Sequence, residues 1–214
     1  MTGGSSAQRD AVLARRKVSR ETAGRLDAYE TLLRSWQART NLVAPSTLPD
    51  LWERHFEEGL VLGALVPADA REVVDLGSGG GLPGLVLAIL AKARGSGHVT
   101  LVESNGKKAA FLRTVARELA LDCTVRAERI EVCGPVVSAA DAVTARALAP
   151  LETLLEWVQP HLGADAVCLF PKGRGHGLEV ARASQQFEFD MVKHSSTGEP
   201  ESVVLELRAL RRRA

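Results

Sequence analysis

Residues 72–93 read EVVDLGSGGGLPGLVLAILAKA. The apolar run from Glu72 to Leu76 is strand-like and stops at a glycine cluster, and the segment behind it has helical character. The stretch therefore reads as a strand, a turn and a helix. Glycines allow positive φ and remove the side chains that would keep a ligand away from the peptide groups. Pro83 suits a first helical turn, where its missing N–H is not needed. A strand end, a glycine turn and a helix start coincide here, so a ligand is expected on the turn.

The alternation continues toward the C-terminus. HVTLVE at 98–103, a helical stretch from about Lys107 to Ala120, DCTVRAE at 122–128, DAVTARA at 141–147, a helix through Leu154, Leu155 and Trp157, and AVCLFPKG at 166–173 follow in order. Strands alternating with helices imply a parallel sheet covered on both faces. After Gly177 a further helix is expected, and strand-like runs at Phe187 to Val192 and Ser202 to Leu207 suit a terminal hairpin turned at Gly198 and Pro200. Toward the N-terminus, Leu26, Tyr29, Leu32, Leu33 and Trp36 share one helical face, with Ser19 as N-cap. Asn41 to Pro45 breaks that helix, and a second is expected from about Thr47, with Pro49 and Asp50 in its first turn. Residues 1–18 read as a disordered lead-in. Residues 19–214 form a single domain, with a helical part at 19–66 and an α/β core at 71–209.

Composition narrows the function classes. A chain of 214 residues that is 45% hydrophobic can build a core without disulfide or metal staples. With 27 Lys and Arg against 26 Asp and Glu, the net charge of +1 supplies no strong global field for nucleic acid or membrane. A polyanionic partner must be met by local basic patches. The apolar run Leu85 to Ala91 is far too short for a membrane helix, and the N-terminus lacks the apolar stretch of an export signal. Cys123, Cys133 and Cys168 are odd in number and widely spaced, so neither a disulfide framework nor a metal site is expected. A cytoplasmic chain with buried thiols is the expectation.

The ligand on the turn is the next question. Gly79, Gly81 and Gly84 satisfy the G-x-G-x-x-G spacing of dinucleotide sites, which leaves an NAD-dependent oxidoreductase open. Against it stands Asp75 at the strand end, where a carboxylate would oppose a pyrophosphate but pair with a cation. S-adenosylmethionine carries an ammonium and a sulfonium and has no phosphate. No G-K-[ST] closes the loop, which excludes Walker A. The next strand should end in an acid if a ribose lies across the switch point, and HVTLVE ends in Glu103. Ala127 and Glu128, after the third strand, would border an adenine.

At this point the sequence resembles the bacterial ribosomal RNA small subunit methyltransferase G family, also called glucose-inhibited division protein B, from about Ser19 to Leu207. The carriers are W-x-x-x-x-N-L at Trp36 to Leu42, R-H at Arg54 and His55, D-L-G-S-G-G-G-L-P-G at 75–84, the acid and Ser104 after the second strand, K-K-x-x-F-L-R at 107–113, A-E at 127 and 128, T-A-R-A at 144–147 and P-K-G at 171–173. The resemblance implies a Rossmann-like methyltransferase fold, a mostly parallel seven-stranded sheet with helices on both faces and an N-terminal helical extension. It implies transfer of a methyl group from S-adenosylmethionine to N7 of a guanine in 16S ribosomal RNA. It places cofactor contacts at Gly77, Leu82, Ala127, Glu128 and Arg146, with Asp75, Gly79 and Glu103 lining the same pocket. Where many relatives carry Asp-Ser shortly after the R-H pair, this chain has Glu58 and Gly59.

Guanine N7 offers a free lone pair, so the reaction needs no general base, in keeping with the absence of Ser-His-Asp, G-x-S-x-G and metal-spaced His signatures. Candidates for holding RNA are Arg54, His55, Lys107, Lys108, Arg113, Arg146 and Lys172. Aromatics at 4% cannot furnish a stacking platform, so a prefolded or protein-bound RNA target and a monomeric enzyme are expected, without membrane contact. Another RNA or a small molecule remains an alternative substrate.

Overall fold

The computed structural model describes residues 3–196 and 201–213. Seven strands form one sheet in the order β3-β2-β1-β4-β5-β7-β6. They are β1 (Glu72–Leu76), β2 (His98–Val102), β3 (Cys123–Arg126), β4 (Ala142–Ala145), β5 (Val167–Lys172), β6 (Phe187–Ser195) and β7 (Val203–Arg212). The first five run parallel. β7 inserts antiparallel between β5 and β6. The expected pairing of the last strands is present, and the turn expected at Gly198 and Pro200 lies outside the described residues.

Side-chain alternation assigns the helices to faces. Val73 of β1 faces one core, built with α1 (Gly3–Arg15), α2 (Arg20–Gln37), α3 (Glu57–Leu65), α4 (Gly84–Arg94) and α5 (Gly106–Glu118). Val74 and Leu76 face the other, built with α6 (Gly134–Ser138), α7 (Leu151–Val158) and α8 (His176–Gln186). Ser19 caps α2 as expected, its side chain accepting from Thr22 N–H. Close packing of α4 on the sheet requires Gly84, because a Cβ there would lie 2.3 Å from Leu101 and 2.5 Å from Asp75 Oδ2.

The N-terminal part departs from expectation twice. Residues 3–15 are helical and docked, not a loose lead-in: Val12 is fully buried, and Arg15 and Arg16 reach the buried carboxylate of Glu57 at 2.7 and 2.9 Å. The helix expected from Thr47 is broken into a 3₁₀ turn, Pro45–Thr47, and a π-helical turn, Trp52–Phe56, which runs into α3. The wide turn is closed by the Glu57 N–H donating to the Trp52 carbonyl. No helix among the described residues is long and apolar enough to cross a membrane.

One contact joins this helical part to the glycine turn. The buried Tyr29 hydroxyl donates to the Gly80 carbonyl at 2.5 Å, while its ring packs edge-on against Phe56. Tyr29→Phe leaves that buried carbonyl unsatisfied and is expected to cost about 1–3 kcal/mol in denaturant unfolding. An unchanged midpoint would show that the turn does not depend on α2.

Candidate cofactor and RNA site

The strand order reverses between β1 and β4. Connections from β1 lead toward β2 and those from β4 toward β5, leaving a crevice at their C-terminal ends. The glycine turn is fastened over it. Ser78 N–H donates to the Val102 carbonyl at 2.9 Å, its hydroxyl to the Asp75 carbonyl, and Gly81 N–H to the Ser78 carbonyl. Gly77 and Gly79 take φ of +67° and +57°. The Glu103 carboxylate sits below them, Oε2 accepting from Gly79 N–H at 2.8 Å and Oε1 from Asn105 N–H at 2.7 Å. Each oxygen keeps a further lone pair for a ligand.

A cavity of about 360 Å³ opens here, lined among others by Gly77, Gly79, Glu103, Lys108, Glu128 and Arg146. A Cβ on Gly79 would meet only the Gly77 carbonyl, at 3.7 Å, and would otherwise occupy this space. A larger cavity of about 690 Å³ adjoins it, lined by Arg54, His55, Glu58, Lys172, Glu179 and Arg182 with the loop after β4. Arg146, Ala147 and Leu148 belong to both walls.

Arg146 is held from the helical part. Its Nη1 donates to His55 Nδ1 at 2.6 Å and to Glu58 Oε2 at 2.8 Å. An arginine can only donate, so Nδ1 is the acceptor and the His55 proton sits on Nε2, donating to Thr47 Oγ1 at 2.9 Å. Burial, followed by Arg146 and Arg54, depresses the His55 pKa to about 3. The imidazole is therefore neutral, with both ring nitrogens engaged, by Arg146 and by Thr47. Glu58 supplies the charge opposite Arg146. A Cβ at Gly59 would lie 2.8 Å from Val86 Cβ, so α3 and α4 pack closely there.

Several other expected residues sit elsewhere than anticipated. Asp75 lies under Gly84 at 1% exposure, outside the wall of the smaller cavity; Oδ1 accepts from Thr144 Oγ1 at 2.7 Å and Oδ2 has no hydrogen-bond partner among the described residues. Leu82 is buried in the core and Ala127 is exposed; neither lines the smaller cavity. Lys172 is not free for RNA, because its buried ammonium donates to the Ala149 carbonyl at 2.9 Å and to Glu179 Oε2 at 2.7 Å. Arg113 reaches the Val125 carbonyl on the β3 side, and Lys107 is exposed at the start of α5. The sequence reading missed Glu179 and Arg182, which α8 brings to the larger cavity. Their spacing of three, one helical face, was the available signal.

Two outcomes follow from these contacts. His55→Asn keeps an acceptor for Arg146 and is expected to retain most of the methyl transfer that the family resemblance implies, whereas His55→Phe should lose about tenfold or more. Equal rates for the two variants would reject the orienting role. Burial raises the Asp75 pKa to about 6, against the hydrogen bond from Thr144. The folded state therefore holds this proton more tightly than the unfolded chain, and stability falls as pH rises from about 4 to 6. Asp75→Asn removes that loss. Its stability relative to the parent should be about 2 kcal/mol better at pH 7.5 than at pH 4.5 in cofactor-free protein. A difference of opposite sign in urea unfolding would refute the assignment.

The family model for rRNA small subunit methyltransferase G matches residues 23–204. The ribosomal RNA small subunit methyltransferase G of Sinorhizobium medicae is 48% identical over 200 residues, covering 92% of this chain and 93% of that protein. The one from Rhodospirillum centenum is 50% identical over 190 residues, covering 89% and 85%. Among solved structures, a MtNAS variant in complex with S-adenosylmethionine aligns with TM-score 0.58 at 14% identity, covering 88% of this chain and 76% of that one, a likeness of fold. The reversed crevice, the glycine turn over Glu103 and these matches together place the chain in the rRNA small subunit methyltransferase G family, whose cofactor is S-adenosylmethionine.

Proposed function

We propose that this chain methylates N7 of a guanine in small-subunit ribosomal RNA, with S-adenosylmethionine in the smaller cavity and the target base in the larger. The observation that carries the reading is the shared wall at Arg146 to Leu148, which brings the two cavities together at the switch point. When bound, the cofactor supplies an electrophilic methyl group on a sulfonium. Glu103 accepts from its ribose hydroxyls with the lone pairs left over from Gly79 and Asn105. Gly77 and Gly79 let it approach the backbone, and Glu128 borders its adenine. Arg146, fixed by His55 and Glu58, stands where cofactor and base meet.

No residue has to remove a proton, since N7 carries its lone pair in neutral solution. The protein acts by alignment. Holding the reacting atoms about 3–3.5 Å apart and in line can lower a barrier by about 7–11 kcal/mol. Arg54 and Arg182 flank the larger cavity and serve the phosphates on either side of the base. Tyr29, Trp52, Phe56, Phe111, Phe170 and Phe187 are all buried, so these rings cannot stack on exposed nucleotides. That favours RNA already shaped by a ribosomal subunit or an assembly intermediate.

Labelled methyl transfer to small subunits lacking the modification, followed by borohydride and aniline treatment, should cleave the RNA at one guanine. Labelling without cleavage would overturn the choice of N7. Equal methylation of deproteinised RNA would overturn the preference for the particle. Glu103→Ala removes charge-assisted contacts and should weaken S-adenosylhomocysteine binding by about 1.5–3 kcal/mol in calorimetric titration. Unchanged affinity would reject the ribose contact.

A further inference from the structure

The larger cavity contains a carboxylate that alignment of the methyl group does not use. Glu179, on α8, keeps 28% of its side chain exposed. Its Oε2 accepts from Lys172 Nζ at 2.7 Å and from Leu151 N–H at 2.8 Å, and Lys172 also donates to the Ala149 carbonyl. These bonds pin the side chain against the loop after β4. Oε1 has no hydrogen bond among the described residues, although Glu179 forms part of the cavity wall. Glu58, the other carboxylate there, has Oε2 on Arg146 at 2.8 Å and Oε1 within 3.4 Å of Ser196 Oγ. Glu179 Oε1 is thus the carboxylate oxygen on this wall that holds no hydrogen bond among the described residues, with both lone pairs open to a ligand.

We propose that Glu179 Oε1 reads the target base, accepting from N1–H and the 2-amino group of guanine, and so separates guanine from adenine. The proposal rests on the reading above, in which a guanine is attacked through N7. Both purines present an N7 lone pair, so the reacting atom cannot distinguish them. The difference lies on the far rim. Guanine offers donors at N1 and at the 2-amino group, whereas adenine has an acceptor at N1 and no 2-amino group. A carboxylate attracts the first edge and repels the second.

The same contact acts on the rate. A bond forms between N7 and the methyl carbon while the carbon–sulfur bond breaks with its electron pair left on sulfur, so the purine gains positive charge. N1–H and the 2-amino protons become stronger donors, and their bonds to the carboxylate tighten toward the transition state. No proton is transferred, and N1–H stays on the product. The contribution therefore falls on kcat more than on KM.

Glu179→Gln tests this with the surroundings kept. Lys172 and Leu151 donate, so the glutamine carbonyl faces them and its NH₂ group turns to the cavity, replacing an acceptor with a donor. The substrates are small subunits reconstituted with 16S RNA carrying guanine, inosine or adenine at the methylated position, inosine lacking only the 2-amino group. The parent enzyme should lose about tenfold to a hundredfold in kcat/KM on inosine. The variant should lose a similar factor on guanine, mainly in kcat, with no remaining preference for guanine over inosine. Its affinity for S-adenosylhomocysteine should be unchanged, because Glu179 is not part of the smaller cavity's wall. If the glutamine disturbs folding, the pair Lys172→Met with Glu179→Ala removes acceptor and buried cation together and must show the same lost preference. A parental guanine-to-inosine ratio in either variant, with aniline cleavage of the guanine product intact, overturns the role of Glu179 and leaves N7 methylation standing. Absence of that cleavage in the parent enzyme overturns both.

Discussion

The site depends on one guanidinium held between the two parts of the chain. Arg146 leaves β4 at the crevice, and its Nη1 is taken by His55 on the π-helical turn and by Glu58 on α3. Withdrawing a cation from water costs several kcal/mol unless acceptors replace the lost solvent. A carboxylate returns the charge and a neutral imidazole returns the second hydrogen bond, a combination that a protonated histidine could not supply. The wide turn is what allows this. Winding Trp52–Phe56 with an extra residue per turn changes the direction of the side chains behind it, and Arg54, His55 and Glu58 all reach the larger cavity. The helical extension therefore serves as one wall of the site.

Much of this architecture was legible in the sequence. All seven strands overlap the apolar runs, and β1, β2, β4 and β5 were clearest because a strand buried on both faces leaves a run that polar residues bound. The half-exposed β7, by contrast, continues to Arg212, past the expected end at Leu207. The glycine turn was legible because its residues answer to backbone conformation, a local property. Glu103 was legible because its place after a strand end is set by topology. The lead-in was misread for the opposite reason. Its helix carries little apolar surface, and its hold on the core comes from Val12 and from Arg15 and Arg16 meeting Glu57 some forty residues away. Spacing cannot reveal such a partner.

Asp75 shows a subtler failure. Strand alternation alone puts Asp75 on the face of Val73, toward α4, and away from Val74 and Leu76. Reading it as a ligand contact let the charge argument override the geometry. Beneath Gly84 the carboxylate ties β1 to β4 through Thr144. Lys172 was likewise read as a phosphate contact from its type. Burial against Glu179 and the Ala149 carbonyl turns it into a brace for the loop after β4.

These reassignments bear on how an almost neutral protein can select an RNA. Arg146 and Lys172 spend their charge inside the protein, Arg126, Arg129, Arg174 and Arg211 face acids on the surface, and the net charge is +1. With that much charge turned inward or matched by acids, no strong global field draws in a polyanion, and a phosphate must be met by local cations. What remains is fit: a cavity of about 690 Å³ flanked by Arg54 and Arg182 can admit a base only if that base is presented outside its stack. A flexible strand would have to lose its freedom on binding, and six of the nine aromatic rings are buried and cannot stack to offset that cost. On the reading proposed above, RNA already folded around ribosomal proteins has lost that freedom beforehand, so the cost of ordering it does not fall on the enzyme.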